Sequence, residues 1–112
     1  MDMQIIENDD FVRVVLNGRL DTAGVGQIES QFFAGIVPRG RPTVVDMSEV
    51  PFLASLGIRM LISTARSLSS KGARIAMYSA TPGVMEVIEM TSLHEIVPTA
   101  ASEAEALALV RD

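Results

Sequence analysis

TVVDMSEVPFLASLGIRMLISTARSLSSKGARIAMYS, residues 43–79, reads as a complete strand–helix–strand unit. TVVDMS opens it as a short run rich in β-branched side chains, the pattern of a strand buried on both faces. EVPF is a turn or loop, and a helix is expected from Ser55 to about Lys71 and Gly72. Leu56, Met60, Leu61, Ala65 and Leu68 recur at helical spacing on one face, while Arg59, Arg66 and Ser70 lie mostly off it. Lys71 and Gly72 supply a C-terminal stop. ARIAMYS then reads as a second strand, so the unit predicts two parallel strands joined by a right-handed crossover.

Moving outward, the N-terminal side begins with MQIIE, the acidic turn NDD and the run FVRVVLNG, a spacing that suits a hairpin ended by Gly18. In LDTAGVGQIESQFFAGI, Asp21 or Thr22 is an N-cap candidate and Val25, Ile28, Phe32 and Ile36 follow a helical period. Gly24 and Gly26 are expected to weaken its first turns by roughly 1 kcal/mol each against alanine. VPRGRP is a loop. On the C-terminal side, TPGVMEVIEMTSL is a short helix with Pro82 in its first turn, HEIVPT a last short strand, and SEAEALALV a closing helix. Ser102 and Glu105 stand there in capping-box relation. The order is ββαβαβαβα: an α/β fold with a mostly parallel, mixed sheet of about five strands packed with about four helices.

The 112 residues suit a single domain, and 48% hydrophobic with 21% charged residues is the balance of a folded chain. Without cysteine there is no disulfide framework or thiolate metal site, and one histidine excludes a histidine-rich one. Few aromatics and a net charge of −5 argue against nucleic acid as a partner. No apolar run reaches the roughly 20 residues of a membrane span, and the acidic start lacks the basic beginning of a secretory signal, so neither membrane insertion nor export is expected. A cytoplasmic location is the simplest expectation.

Enzymatic readings find little support. A serine hydrolase would need Ser55 with His94 as base, but LASLG is not G-x-S-x-G and no oxyanion loop is recognisable. GVGQIE, residues 24–29, carries Glu29 where a dinucleotide fingerprint needs its third glycine, and no P-loop is present. Asp46, Glu49, Glu86, Glu89, Glu103 and Glu105 read as solvated faces and caps. Met60, Met77, Met85 and Met90 read as core filler, and His94 as a surface or hydrogen-bonded structural residue.

Ser55 admits two readings. As an N-cap its hydroxyl would satisfy a free backbone N–H, worth about 1 kcal/mol. As a modified residue it would place a phosphate where unpaired N–H groups and a partial positive charge accommodate an anion.

VVLNGRLD, residues 43–79 and PGVMEVIEMTSLHEIVPTAASEAEAL together resemble the sulphate transporter and anti-sigma factor antagonist (STAS) domain, closest to its free-standing bacterial antagonists. The most specific segment is D-x-S-x-x-x-F-x-x-S-x-G, present as Asp46, Ser48, Phe52, Ser55 and Gly57. The resemblance implies an antagonist that binds an anti-sigma factor, a serine kinase of GHKL-type ATPase fold, and is released when that kinase phosphorylates it. A PP2C-type phosphatase would reset it. Ser55 would be the phosphoacceptor. Gly18, Leu20, Asp21 and Thr22, with Phe52, Leu53, Ala54, Leu56 and Gly57, would form the partner-binding surface. The resemblance implies no cofactor, since ATP belongs to the kinase, and no enzymatic activity. The commonest form of the motif reads Asp-Ser-[Ser/Thr]-Gly, where this chain has Ala54 and Leu56. The alternative within the same family is a constitutive scaffold, a subunit of a lipid-transport or stressosome-like complex in which Ser55 is only a cap.

Overall fold

The computed structural model describes residues 1–111. Strands β1 (Asp2–Glu7) and β2 (Val12–Asn17) form an antiparallel hairpin. Helix α1 (Thr22–Ile36) leads to β3 (Thr43–Glu49), α2 (Ser55–Ser69) to β4 (Ile75–Tyr78), α3 (Pro82–Met90) to β5 (Thr99–Ala100), and α4 (Glu103–Val110) closes the chain. The sheet order is β1-β2-β3-β4-β5, with β2 to β5 parallel, as the alternation predicts.

Because the parallel strands lie in chain order, crossovers of one hand put their helices on one face of the sheet. That face holds the main core. Val12, Val14 and Leu16 of β2, Val45 and Met47 of β3, and Met77 of β4 meet Ile28 and Phe32 of α1, Leu61 and Leu68 of α2, and Ile88 of α3. Each such side chain contributes roughly 1.5–3 kcal/mol through burial. The other face is covered in part by α4, whose Ala106 and Val110 pack on Phe11, Val44, Ala76 and Tyr78. Val44 and Val45 thus point into different cores, which is why TVVDMS lacks a polar alternation.

Glu103 is a working part of that second face. It receives Arg13 Nη2 at 2.6 Å and the Tyr78 hydroxyl at 3.5 Å, so it ties α4 across the sheet rather than only solvating a helix start. Burial, with the nearby Asp46 and Glu103 charges, pushes the Tyr78 phenol up to about 12.

Three expectations are corrected. The last strand is shorter and later than HEIVPT: residues Leu93–Glu95 form a 3₁₀ turn carrying an exposed His94, and only Thr99 and Ala100 pair with β4. Pro98 limits the pairing, because it lacks an N–H and offers only its carbonyl, which accepts from Met77 at 2.8 Å. Met60 and Met77 are core residues, but Met85 is half-buried and Met90, at the end of α3, is 79% exposed. Gly24 is required rather than merely tolerated, since a Cβ there would lie 1.9 Å from the Arg19 carbonyl oxygen. Gly26 has open space around it and keeps only its propensity cost.

Candidate functional site

Parallel strands deliver their following loops to one rim of the sheet, and the loops after β2 and β3 meet there. Gly18, at φ +130°, donates to the Glu49 carbonyl at 3.0 Å. Leu20 N–H then donates to the Phe52 carbonyl at 2.9 Å, and Ala54 N–H to the Leu20 carbonyl at 3.0 Å, making a short parallel bridge between Leu20 and Leu53. Leu20 and Leu53 are buried, and Gly57 packs so closely under them that a Cβ would sit 2.9 Å from Leu53 Cδ1. These three residues hold the two loops in register. The groups facing outward are Thr22, Phe52 and Ser55, with Asp21, Ala54 and Leu56 half-buried between them.

The two helix starts on this rim are built differently. Asp21 caps α1: its Oδ1 accepts from Gly24 N–H at 2.8 Å. That bond, reinforced by the Arg19 guanidinium, holds the Asp21 carboxyl below its usual range. For α2 the capping residue is Ala54, with extended backbone at φ −108° and ψ 176° and no side chain able to accept. The first helical bond runs from Ile58 N–H to the Ala54 carbonyl, so the N–H groups of Ser55, Leu56 and Gly57 have no intrahelical acceptor.

Ser55 is therefore not the cap. It occupies the first helical position, exposed, and its hydroxyl makes no capping bond. Of the two readings of Ser55, the cap is displaced by one residue, because the extended backbone of a cap falls on Ala54. Ser55 and His94 also lie at different ends of the sheet: one follows the C-terminal end of β3, while the other precedes the N-terminal end of β5. That separation leaves the serine without a histidine base.

Arg19 was not singled out from the sequence. Its guanidinium carbon lies 4.3 Å from the centroid of the Phe52 ring, and its Nε is 3.3 Å from Asp21 Oδ2. The signal was present as a cation one residue before Leu20, but nothing in the local pattern pairs position 19 with position 52. Beside these loops, Asn17, Ser48, Glu49 and Thr81 line a shallow hollow with Gly18 and Pro51. Asp46 turns back locally, its Oδ1 accepting from Ser48 N–H at 2.9 Å. Among the described residues, no helix is long and apolar enough to cross a membrane.

A family model described as the STAS domain matches residues 2–106, and the chain belongs to that family. It is similar to BtrV of Bordetella bronchiseptica, a protein that carries the name of an anti-sigma factor antagonist. The two are 26% identical over 100 residues, 89% of this chain and 86% of that protein. A crystal structure of an anti-sigma factor antagonist from Mycobacterium paratuberculosis superposes with a TM-score of 0.86 at 26% identity, covering 99% of this chain and 94% of that one. The Bacillus cell fate determinant SpoIIAA, solved in its phosphorylated form, shares the fold with a TM-score of 0.69 at 22% identity, over 98% of this chain and 100% of that one.

Proposed function

We infer that this STAS domain is an anti-sigma factor antagonist working by partner switching, with Ser55 as its phosphoacceptor. The observation that carries the reading is the free hydroxyl of Ser55 on the outward rim, at a helix start that Ala54 caps without a side chain. A serine that neither packs nor caps is available for chemistry. The names of its relatives support the antagonist role, and the phosphorylated SpoIIAA supports a phosphate on this fold.

The partner in this reading is an anti-sigma factor serine kinase, which the unmodified rim captures. The kinase transfers the γ-phosphoryl group of ATP to Ser55 Oγ, the hydroxyl proton is lost and ADP leaves. A phosphatase of the PP2C type returns the serine by hydrolysis to inorganic phosphate. The phosphate brings about −1.5 to −2 charges. It meets three N–H groups without intrahelical acceptors, so the domain holds it without unfolding. A partner surface fitted to a neutral hydroxyl meets a hydrated dianion instead. A penalty of roughly 3 kcal/mol weakens binding about a hundredfold, which is enough for a switch.

The test is capture from lysate of the source cells by wild type, Ser55→Ala and Ser55→Asp, with the bound proteins identified by mass spectrometry. The reading expects a GHKL-type kinase on wild type and Ser55→Ala and its loss on Ser55→Asp. Equal capture by all three sinks it and leaves a constitutive scaffold.

A further inference from the structure

We propose that Arg19 is the built-in counter-charge for a phosphate on Ser55, and that phosphorylation draws its guanidinium away from the Phe52 ring. This deepens the phosphoacceptor reading above and rests on it. Three observations carry it. Arg19 is 59% exposed in its side chain and is held, among the described residues, only by the Phe52 ring and by Asp21. Both are surface contacts, of the kind that exchange readily. The ion pair uses Arg19 Nε, and the two terminal nitrogens have no acceptor among the described residues.

The backbone brings the two positions together. Ala54 N–H bonds to the Leu20 carbonyl at 3.0 Å, so Arg19 and Ser55 each lie one residue from the same hydrogen bond. Leu20 and Leu53 turn inward, which leaves Arg19 and Phe52 on the outer side of the bridge, where Ser55 is exposed. Asp21 cannot follow the arginine, because its other oxygen is committed to Gly24 N–H at 2.8 Å. The guanidinium can therefore pivot on Asp21, keeping Nε there while its two unbonded terminal nitrogens turn to a dianion. Charge-assisted bonds to phosphate are about twice as strong as neutral ones, which favours the move. Modification then alters the docking rim twice, adding charge at Ser55 and uncovering the Phe52 ring.

The experiment installs phosphoserine at position 55 during translation, so that its result is independent of any kinase. A phosphorus NMR titration then reads the second ionisation of the phosphate in the Arg19 protein, in Arg19→Gln and in Arg19→Lys. The expected result is a pKa about one unit lower with Arg19 than with Arg19→Gln, and partial recovery with Arg19→Lys. In parallel, the Arg19 side-chain protons should lose the ring-current shift of Phe52 in the phosphorylated protein. The same pKa in all three proteins, or an arginine still stacked on Phe52, overturns the proposal. A Ser55 found never to be phosphorylated in cells would overturn the functional reading instead, and would leave this measurement standing.

Discussion

Helices α1 and α2 begin on the same rim, follow neighbouring parallel strands and are linked by the Leu20–Leu53 bridge, yet their first turns are built on opposite terms. At α1 the cap is filled by Asp21, and Gly24 lets the turn close against the Arg19 carbonyl. At α2 the cap is Ala54, and the next residue is an exposed serine. The first arrangement spends its polar groups on the fold. The second leaves them without a side-chain partner.

Five substitutions, with Gly26→Ala as a control, probe that contrast in falling order of effect. Gly24→Ala should be the most damaging, costing roughly 3 kcal/mol in urea unfolding, because the clash is with backbone and not with a flexible side-chain end. Gly26→Ala in the same helix is its control and should slightly stabilise. Gly57→Ala meets Leu53 Cδ1 at 2.9 Å and the Leu20 carbonyl oxygen at 3.2 Å, so a cost of about 1–2 kcal/mol is expected as the bridge shifts. If it unfolds no more easily than wild type, the bridge is not what holds the two starts together.

Ala54→Asp gives α2 the kind of cap α1 has. The extended backbone at position 54 suits it, so unfolding free energy should rise by about 1 kcal/mol. No gain would mean that the free N–H groups are already satisfied by solvent at no cost. Asp21→Asn separates charge from capping at α1. The carboxyl is held below its ordinary 3.8, so its contribution is present above that pH and fades as pH falls through the lower folded value. Thermal melts should show the wild-type advantage over Asp21→Asn at neutral pH and its disappearance in acid. Ser55→Ala should be nearly silent, within about 0.5 kcal/mol, because the hydroxyl bonds to nothing in the fold. A loss of a full cap's worth in the melt would show that Ser55 is structural after all.

What could be read before the fold was known follows from the range of each interaction. Alternating periods of two and of 3.6 residues are local properties, so β1 to β4 and all four helices were legible, as was the Ser102–Glu105 cap at α4. The last strand was not, because two residues beside a proline carry too little pattern to separate a strand from a turn. Met90 misled for a related reason, since an apolar residue at a helix end says nothing about whether a neighbour covers it. Gly24 was misjudged because its value lies in a contact with the Arg19 carbonyl, which only the folded turn creates.

The candidate site divides along the same line. That a serine stands where a loop becomes an amphipathic helix, within a motif that carries family membership, is legible from the chain alone. Those are matters of spacing along one segment. The capping position of Ala54, the burial of Leu20, Leu53 and Gly57, and the contact of Arg19 with Phe52 arise only in the fold. These outcomes depend on which atoms the loop at Leu20 and the loop at Leu53, far apart in the chain, present to each other. Hydrophobic period fixes what is helix and what is strand. The meeting of side chains across the rim is set by sheet order and register, which place position 20 against position 53.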